Sequence, residues 1–531
     1  MPHDAHTQVI SLSEVYDAAY ATFGERIATR DGNRSITYTQ LGLRAYQLAR
    51  GMRGLGLKMG DRVLLVAPNS CEWTEVDHAL TRGGLVRVAL LSRLHPHELA
   101  QIAHDAEPAA LIADGEWLSR VGQDWVPDSV RHRIVLGESV EGALSLDDVA
   151  AADRGAHLAA IGPEALLWIG YTSGSTGLPK GVLNTNRGLG ATARNIVSEL
   201  PTLTQSSVVV HSAPLSHFTG AIAAAATSIG ATNLCVPSFD CHHLIELIEQ
   251  RRADVMPLVP TQINMLVDVL RQEGAAGRVH DMSGLALLPY AGSAIAPDRA
   301  AAATKTLGAV LTQFYGSSEA PMPVTALQPQ DHTDDPEPGS DLPLLASAGR
   351  VNRFCSVRIL DADGHVLETG AVGEIAVSGD QTSPGYWRND DATAQLFDKD
   401  GWVRTGDVGY LNSDNYLFIV DRKKDMVVTG GFNVYPREIE NVISTCPGVR
   451  EVAVVGAPHS TWGEQIVAVI SLNQGAHLSI QDIEIHCRER LGGYKVPKSI
   501  EIVSELPKLG NGKVDKRQIR EKLWAHETRR V

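Results

Sequence analysis

Residues 171–181 read YTSGSTGLPKG, and this stretch decides more about the chain than any other. It holds three glycines, four Ser/Thr hydroxyls and one lysine within eleven residues. Glycines let backbone N–H groups approach a phosphate closely, hydroxyls add donors, and Lys180 adds a positive charge. The order is not that of the common nucleotide loop GxxxxGK[ST], because Lys180 follows Pro179 and precedes Gly181. A flexible Gly/Ser surface loop is the ordinary alternative. Loops of that kind are common, but this order of residues is not.

On the N-terminal side, helix-like and strand-like patterns alternate. Leu41, Leu48, Met52 and Leu55 fall at helical spacing over 39–55, and residues 62–66 form an apolar run after Gly60-Asp61. A helix over 92–106 then leads into a strand over 110–113. Such alternation with continuous apolar strands predicts a mostly parallel sheet covered by helices. Beyond the loop the theme repeats. Strands are expected at 208–210, 232–236, 255–259, 285–290 and 310–314, with helices at 241–251 and 261–272. Residues 220–236 are the most membrane-like run, but they are rich in Ala, Gly, Ser and Thr and stop at Pro237, so they read as a buried core helix. Residues 328–343, rich in Asp, Pro and Gly, read as a surface loop. After them strands at 356–360, 374–378 and 416–420 give a β-rich region. The tail alternates a helix opened by Pro436 (437–444), strands at 451–455 and 466–472, a helix at 480–491, a strand at 500–503 and a helix at 516–523. The fold class is therefore α/β: a large N-terminal domain of helix-covered β-sheets with a β-rich subdomain, plus a small α+β C-terminal domain. The charged stretch 421–425 (DRKKD) suits an exposed hinge, which gives domains 1–423 and 424–531.

Size and charge narrow the function. The 531 residues exceed what a single core usually supports. The net charge of −15 argues against a general nucleic-acid or anionic-membrane binder. The six cysteines form no CxxC pair, so buried free thiols in a reducing cytoplasm are expected rather than a zinc knuckle or a disulfide framework. The N-terminus has no basic region followed by an apolar run, so no signal peptide is visible.

The 171–181 stretch resembles the phosphate loop of the adenylate-forming superfamily: acyl- and aryl-CoA synthetases, peptide-synthetase adenylation domains and beetle luciferases. Other stretches agree in order and spacing. Residues 315–319 (YGSSE) resemble the family's YGxTE motif, and 402–407 (WVRTGD) its W-x-x-TGD motif. Residues 421–425, Gly430-Gly431 and 436–440 (PREIE) resemble its hinge and the loop after it. Residues 506–508 (LPK) with Gly512-Lys513 resemble its C-terminal lysine motif. The resemblance covers roughly residues 12–523 and implies a mobile C-terminal domain hinged at Lys424.

Roles follow from the resemblance. Thr172, Ser173, Gly174, Ser175, Thr176, Gly177 and Lys180 would hold the β- and γ-phosphates of ATP. Gly292, Ser293 and Ala294 would border adenine, Tyr315 would stack on the base, and Gly316, Ser317 and Ser318 complete that motif. Glu319 would bind Mg²⁺, a hard cation that prefers carboxylate oxygen. Asp407 would hold the ribose hydroxyls, and Arg422 the ribose or a phosphate. Lys424 would act as the hinge, and Gly430 and Gly431 would line the path of the CoA thiol arm. Lys513 would be the catalytic lysine: a carboxylate attacking the α-phosphate brings two anions together, and a lysine aimed at that charge stabilises the transition state. Lys508, in the same turn, is given no role. His217, in 214–220 (PLSHFTG), would gate the route from the thiol to the acyl carbonyl.

Departures from the pattern are Ser318 for Thr, Asn186 where a His often follows the phosphate loop, Ser216 for a bulky aromatic, and Leu509 for a Thr. None removes an essential group. The candidate acid pocket (His217, Phe218, Thr219, Pro260, Thr261, Gly292, Gly316, Ala320, Pro321, Met322) is mostly small or apolar, which favours an aromatic or medium-chain carboxylic acid over a highly charged one. The expected reaction is ATP-dependent activation of that acid as an acyl-adenylate, then thioester formation with CoA. An amine, a carrier-protein thiol or an inorganic oxyanion such as nitrite could replace CoA as the nucleophile, and a luciferase-like oxidation is a further alternative. Amino-acid activation is disfavoured because 216–219 (SHFT) lacks the aspartate that pairs with a substrate ammonium. No fused carrier domain, nucleic acid or membrane span is expected.

Overall fold

Leu41, Leu48 and Met52 are buried on one face of the helix Tyr38–Gly54. Thr37 and Gln40 close its start as a reciprocal cap, the Gln40 N–H donating to Thr37 Oγ1 at 3.2 Å and the Thr37 N–H to Gln40 Oε1 at 2.9 Å. The computed structural model to which this helix belongs describes residues 10–32, 34–122, 124–155, 157–172, 179–293, 295, 297–332, 344–422, 425–429, 432–459, 462–473, 475–509 and 513–524. Among these residues the strands fall into five sheets.

The largest sheet has seven strands, in the order Leu144–Ser145, His132–Leu136, Ala110–Asp114, Arg62–Val66, Val86–Ala89, Leu166–Thr172, Lys180–Thr185. Every pairing is parallel except the last, where Leu166–Thr172 and Lys180–Thr185 run antiparallel. Both faces of Arg62–Val66 are covered: Val63 and Leu65 belong to one core cluster, Leu64 and Val66 to another. This accounts for its uninterrupted apolar sequence. A four-stranded sheet (Val208–His211, Thr232–Cys235, Ile27–Asp31, Arg34–Thr37) and another (Leu288–Tyr290, Leu311–Tyr315, Thr325–Leu327, Arg350–Val351) follow. A mostly parallel, helix-covered sheet is thus present, and the β-rich region is the four-stranded sheet Cys355–Leu360, Gly373–Gly379, Val403–Leu411, Leu417–Arg422.

Two local readings are corrected. Residues 220–236 are not one helix. The helix Phe218–Ser228 ends at Gly230, whose φ of 81° suits glycine, and the chain turns into the strand Thr232–Cys235. Residues 255–259 do not form a regular strand. They make isolated bridges (Val209 with Val255, Val255 with Leu287, Leu258 with Tyr290), because Pro257 has no N–H to give. The Asp/Pro/Gly-rich loop at 328–343 begins with a 3-10 turn, Pro329–Asp331, and 333–343 lie outside the described residues.

The chain divides into two compact units: Met1–Ile295, Arg299–Val357 and Val377–Val403 in the first; Ala296–Asp298, Arg358–Ala376 and Arg404–Val531 in the second. The second unit therefore begins before the charged stretch at 421–425. Its C-terminal part is an α+β layer structure. Val449–His459 and Gly463–Leu472 pair antiparallel, and Ser499–Val503 adds in parallel. Side chains alternate between two cores: Val454, Ile466, Ala468 and Ile470 face the helices Pro436–Ser444 and Ile480–Arg488, while Ala453, Val455, Val467 and Val469 face Ile519 of Lys516–Trp524. All six cysteines are free; Cys355 is half-buried and the others are buried. Among the described residues no helix is long and apolar enough to cross a membrane.

Candidate active site

In the first unit the phosphate-loop motif joins the two antiparallel strands Leu166–Thr172 and Lys180–Thr185. Thr172 and Lys180 are direct cross-strand partners at its two ends. Ser173, Gly174, Ser175, Thr176 and Gly177 lie outside the described residues. A second segment seals the strand that carries Lys180: the Leu183 N–H donates to Gly385 O at 3.0 Å, the Trp387 N–H donates to Gly181 O at 2.7 Å, and Tyr386 bridges to Val182. This places the Tyr386 ring centre 5.4 Å from the Lys180 ammonium, within cation–π range. The Tyr386 hydroxyl donates to Glu319 Oε1 at 2.7 Å, and the Ser383 N–H donates to the Glu319 carbonyl at 2.8 Å. Burial, followed by the neighbouring Glu319 carboxylate, pushes the Tyr386 phenol well above its ordinary range, so it donates to Glu319 rather than ionising. Lys180 and Glu319, 139 positions apart in the sequence, thus meet on one tyrosine.

Glu319 belongs to a tight turn after the strand Leu311–Tyr315. The Ser317 N–H donates to Ala320 O at 2.9 Å, the Ala320 N–H to Ser317 Oγ at 3.1 Å, and the Val324 N–H to Tyr315 O at 2.8 Å. Gly316 is dictated by this turn: a Cβ there would lie 2.5 Å from Met322 N and 2.8 Å from Ala320 O, both backbone atoms. Gly316→Ala is therefore expected to cost about 1–3 kcal/mol of stability through overpacking. Urea unfolding of the variant measures this, and an unchanged midpoint would show that the turn relaxes freely. Ser318 and Tyr315 are half-buried in the same turn.

One apolar cluster supports the remaining first-unit candidates. Ala291, which precedes Gly292, and Phe314, which precedes Tyr315, are buried in it together with Ile222; Phe218 and Met322 pack against it half-buried. Gly292 has φ 95° and is exposed, as is Ser293; Ala294 lies outside the described residues. His217 is exposed at the start of the helix Phe218–Ser228, with Nδ1 2.8 Å from Ser216 Oγ, so the serine found in place of a bulky aromatic orients the ring. Thr219, expected in the acid pocket, has its hydroxyl committed to backbone carbonyls. It is fully buried and its hydroxyl donates to Ala213 O (2.9 Å) and Pro214 O (3.0 Å), which ties the helix start to the preceding turn. Pro260 and Ala320 are buried, Pro321 is half-buried and Thr261 is exposed. Asn186 is a structural clip: fully buried, it accepts from the Ser13 N–H at 3.0 Å and donates to Ser13 Oγ at 2.9 Å and Ile161 O at 3.2 Å.

In the second unit Asp407 and Arg422 are cross-strand partners, with Arg422 Nε 3.3 Å from Asp407 Oδ1. Asp407 is buried and Arg422 exposed. Lys424, Gly430 and Gly431 lie outside the described residues. Lys513 is exposed, and its carbonyl accepts from the Leu509 N–H at 2.7 Å. Lys508 pairs with Glu451 at 2.8 Å, which gives it a structural task. Just beyond Lys513, Lys516 anchors the segment. Burial works against its ammonium, but Glu440 Oε1 at 2.7 Å, with Asp421 and Asp425 nearby, outweighs this and holds its pKa above the ordinary lysine value. The same Glu440 oxygen accepts from the Val454 N–H at 2.7 Å.

The model of the AMP-binding enzyme family matches residues 16–387, and that of the AMP-binding enzyme C-terminal domain matches residues 438–513. The chain belongs to the AMP-binding enzyme family. This AMP-binding enzyme is 33% identical to the medium/long-chain-fatty-acid–CoA ligase FadD8 of Mycobacterium tuberculosis, over 94% of this chain and 88% of that one. It is 32% identical to the indoleacetate–CoA ligase of Aromatoleum aromaticum, over 98% and 99% of the two chains. Among solved structures it resembles the amide bond synthetase McbA from Marinactinospora thermotolerans, with a TM-score of 0.85 and 29% identity over 96% of this chain and 99% of the other. The adenylate-forming superfamily named from the sequence motifs is therefore the right one.

Tyr386 was not among the residues singled out from the sequence. It sits in 383–387 (SPGYW), a stretch with no charge and no regular period. Gly385 was the available signal: its φ of 141° and a Cβ position 2.5 Å from Thr393 Cγ2 require glycine beside the tyrosine.

Proposed function

We infer that this AMP-binding enzyme is an AMP-forming carboxylate–CoA ligase. The acid's carboxylate oxygen attacks the α-phosphorus of ATP, the bond to the β-phosphate oxygen breaks, and pyrophosphate leaves. The CoA sulfur, having lost its proton, then attacks the acyl carbon, and AMP leaves with the C–O electron pair. The observation that supports this best is the meeting of Lys180 and Glu319 on Tyr386, which joins a phosphate-binding cation to a metal-binding carboxylate. Among the described residues the second oxygen of Glu319 has no partner, and a carboxylate oxygen suits Mg²⁺, so the donor chemistry fits that ion. When bound, Mg²⁺ would neutralise phosphate charge. Lys180 would bind the phosphates beyond the bond that breaks, Asp407 the ribose, and Arg422 the ribose or a phosphate. Lys513 would stabilise charge at the α-phosphate. His217, oriented by Ser216, would gate the approach of the thiol.

The acid would be aromatic or of medium chain length. The half-buried Phe218 and Met322 on the apolar cluster offer contact area and no charge to pair with a second carboxylate. Apolar contacts discriminate by only about 1–3 kcal/mol per methylene, so a graded series is expected rather than a single substrate. Pyrophosphate release across arylacetic, cinnamic and C6–C12 acids tests this; a preference for dicarboxylic acids would overturn it. The likeness to an amide bond synthetase favours a second reading, with an amine as acceptor. Product analysis with CoA and with a primary amine in the same assay separates the two. The enzyme would work in the cytoplasm, where both ATP and CoA are found.

A further inference from the structure

We propose that Tyr386 is a positioning residue for adenylation: its hydroxyl fixes Glu319 for the metal of Mg-ATP, and its ring face holds the Lys180 ammonium. The proposal rests on the reading of Lys180 and Glu319 given above.

The segment that carries Tyr386 is held from several sides. Its neighbours make the two backbone hydrogen bonds to the Lys180 strand, from Leu183 to Gly385 and from Trp387 to Gly181. The Tyr386 N–H donates to Thr393 Oγ1 at 2.9 Å, and Thr393 Oγ1 donates to Asn389 O at 2.8 Å. Ser383 donates its hydroxyl to Gly385 O at 2.9 Å and its N–H to the Glu319 carbonyl. The ring is therefore fixed relative to both the lysine strand and the glutamate turn. The phenol's hydrogen bond to Oε1 of Glu319 favours one carboxylate orientation before the nucleotide arrives and leaves Oε2 without a partner among the described residues. A hydrogen-bond partner behind a ligating carboxylate commonly changes metal affinity by about tenfold or more. The aromatic face acts differently: it limits where the lysine stem can point without neutralising its charge.

The two contacts separate by substitution. Calorimetric titration of the full-length protein with ATP, with and without Mg²⁺, gives the enhancement of binding by the metal. Tyr386→Phe should bind ATP normally without Mg²⁺ but lose about tenfold of the enhancement. Tyr386→Leu should also weaken ATP binding without Mg²⁺, because Lys180 loses its ring. Glu319→Gln and the double variant Tyr386→Phe/Glu319→Gln should behave alike, since the hydroxyl acts only through the carboxylate. A Tyr386→Phe protein with the full enhancement, beside a Glu319→Gln protein that has lost it, would overturn the role of Tyr386 alone. Full enhancement in Glu319→Gln would overturn the metal reading on which it rests. A Tyr386→Phe protein that fails to fold, by thermal unfolding, would also overturn the proposal, because the hydroxyl would then be holding the fold.

Discussion

Lys513→Ala is expected to slow acid-dependent pyrophosphate release by about 10²–10³, while thioester formation from supplied acyl-adenylate and CoA stays near wild type. The asymmetry follows from where charge develops. During attack on the α-phosphate a carboxylate approaches an anion and negative charge spreads over the transferring group. During thiolysis the α-phosphate is already esterified and leaves as AMP. A cation aimed at the α-phosphate from position 513 would lower the first barrier by roughly 3–4 kcal/mol and have little to act on in the second. Lys513 is exposed, and its backbone carbonyl accepts from the Leu509 N–H whatever side chain it carries, so alanine should leave the fold intact. Rapid-quench measurement of both half-reactions checks this. Equal losses in both would remove Lys513 from the chemistry.

Lys424→Pro is expected to have the opposite signature: pyrophosphate release near wild type and thioester formation slowed strongly. Gly430-Gly431 and Lys513 are about 80 positions apart in the second unit, and the family resemblance assigns them to different half-reactions. One fixed pose can hardly serve both, and a change of backbone angles at a few residues is a known way to alternate between two poses. Proline locks φ near −65° and restricts the residue before it, so it would hold the chain in one state. Lys424→Ala is the control. If both variants form thioester at the wild-type rate, Lys424 is a solvated surface charge and the hinge lies elsewhere.

Much of this architecture is legible in the sequence because burial imposes a period. The run at 62–66 coincides with the strand Arg62–Val66, and the apolar spacing around Leu41 and Leu48 marks a helix that needs only a one-residue shift, Tyr38–Gly54. Where a reading failed, a local breaker overrode composition. Gly230 splits an Ala-rich run into a helix and a strand, and Pro257 interrupts a segment that still bonds to neighbours on both sides, Val210 to Val255 O and Leu258 to Pro289 O. The candidate site divides in the same way. Lys180 and Glu319 are visible because each lies in a dense motif. Tyr386 is harder to see because its contacts come from pairing across some 200 positions, with Val182 beside it, and the neighbouring Gly385 is the one local sign of them. Thr219 shows the converse: a hydroxyl in a motif looks available for a ligand until the carbonyls of Ala213 and Pro214 are seen to occupy it.

The central claim, that an acid is activated by direct attack on the α-phosphorus of ATP, is tested most directly by isotope transfer. An accepted acid labelled with ¹⁸O in both carboxylate oxygens is turned over with ATP, Mg²⁺ and CoA, and the nucleotide product is examined by mass spectrometry. An acyl-adenylate intermediate predicts AMP carrying one ¹⁸O atom, unlabelled pyrophosphate, and one ¹⁸O retained in the thioester. Label appearing in inorganic phosphate with ADP as the nucleotide product, or AMP with no label, would contradict it.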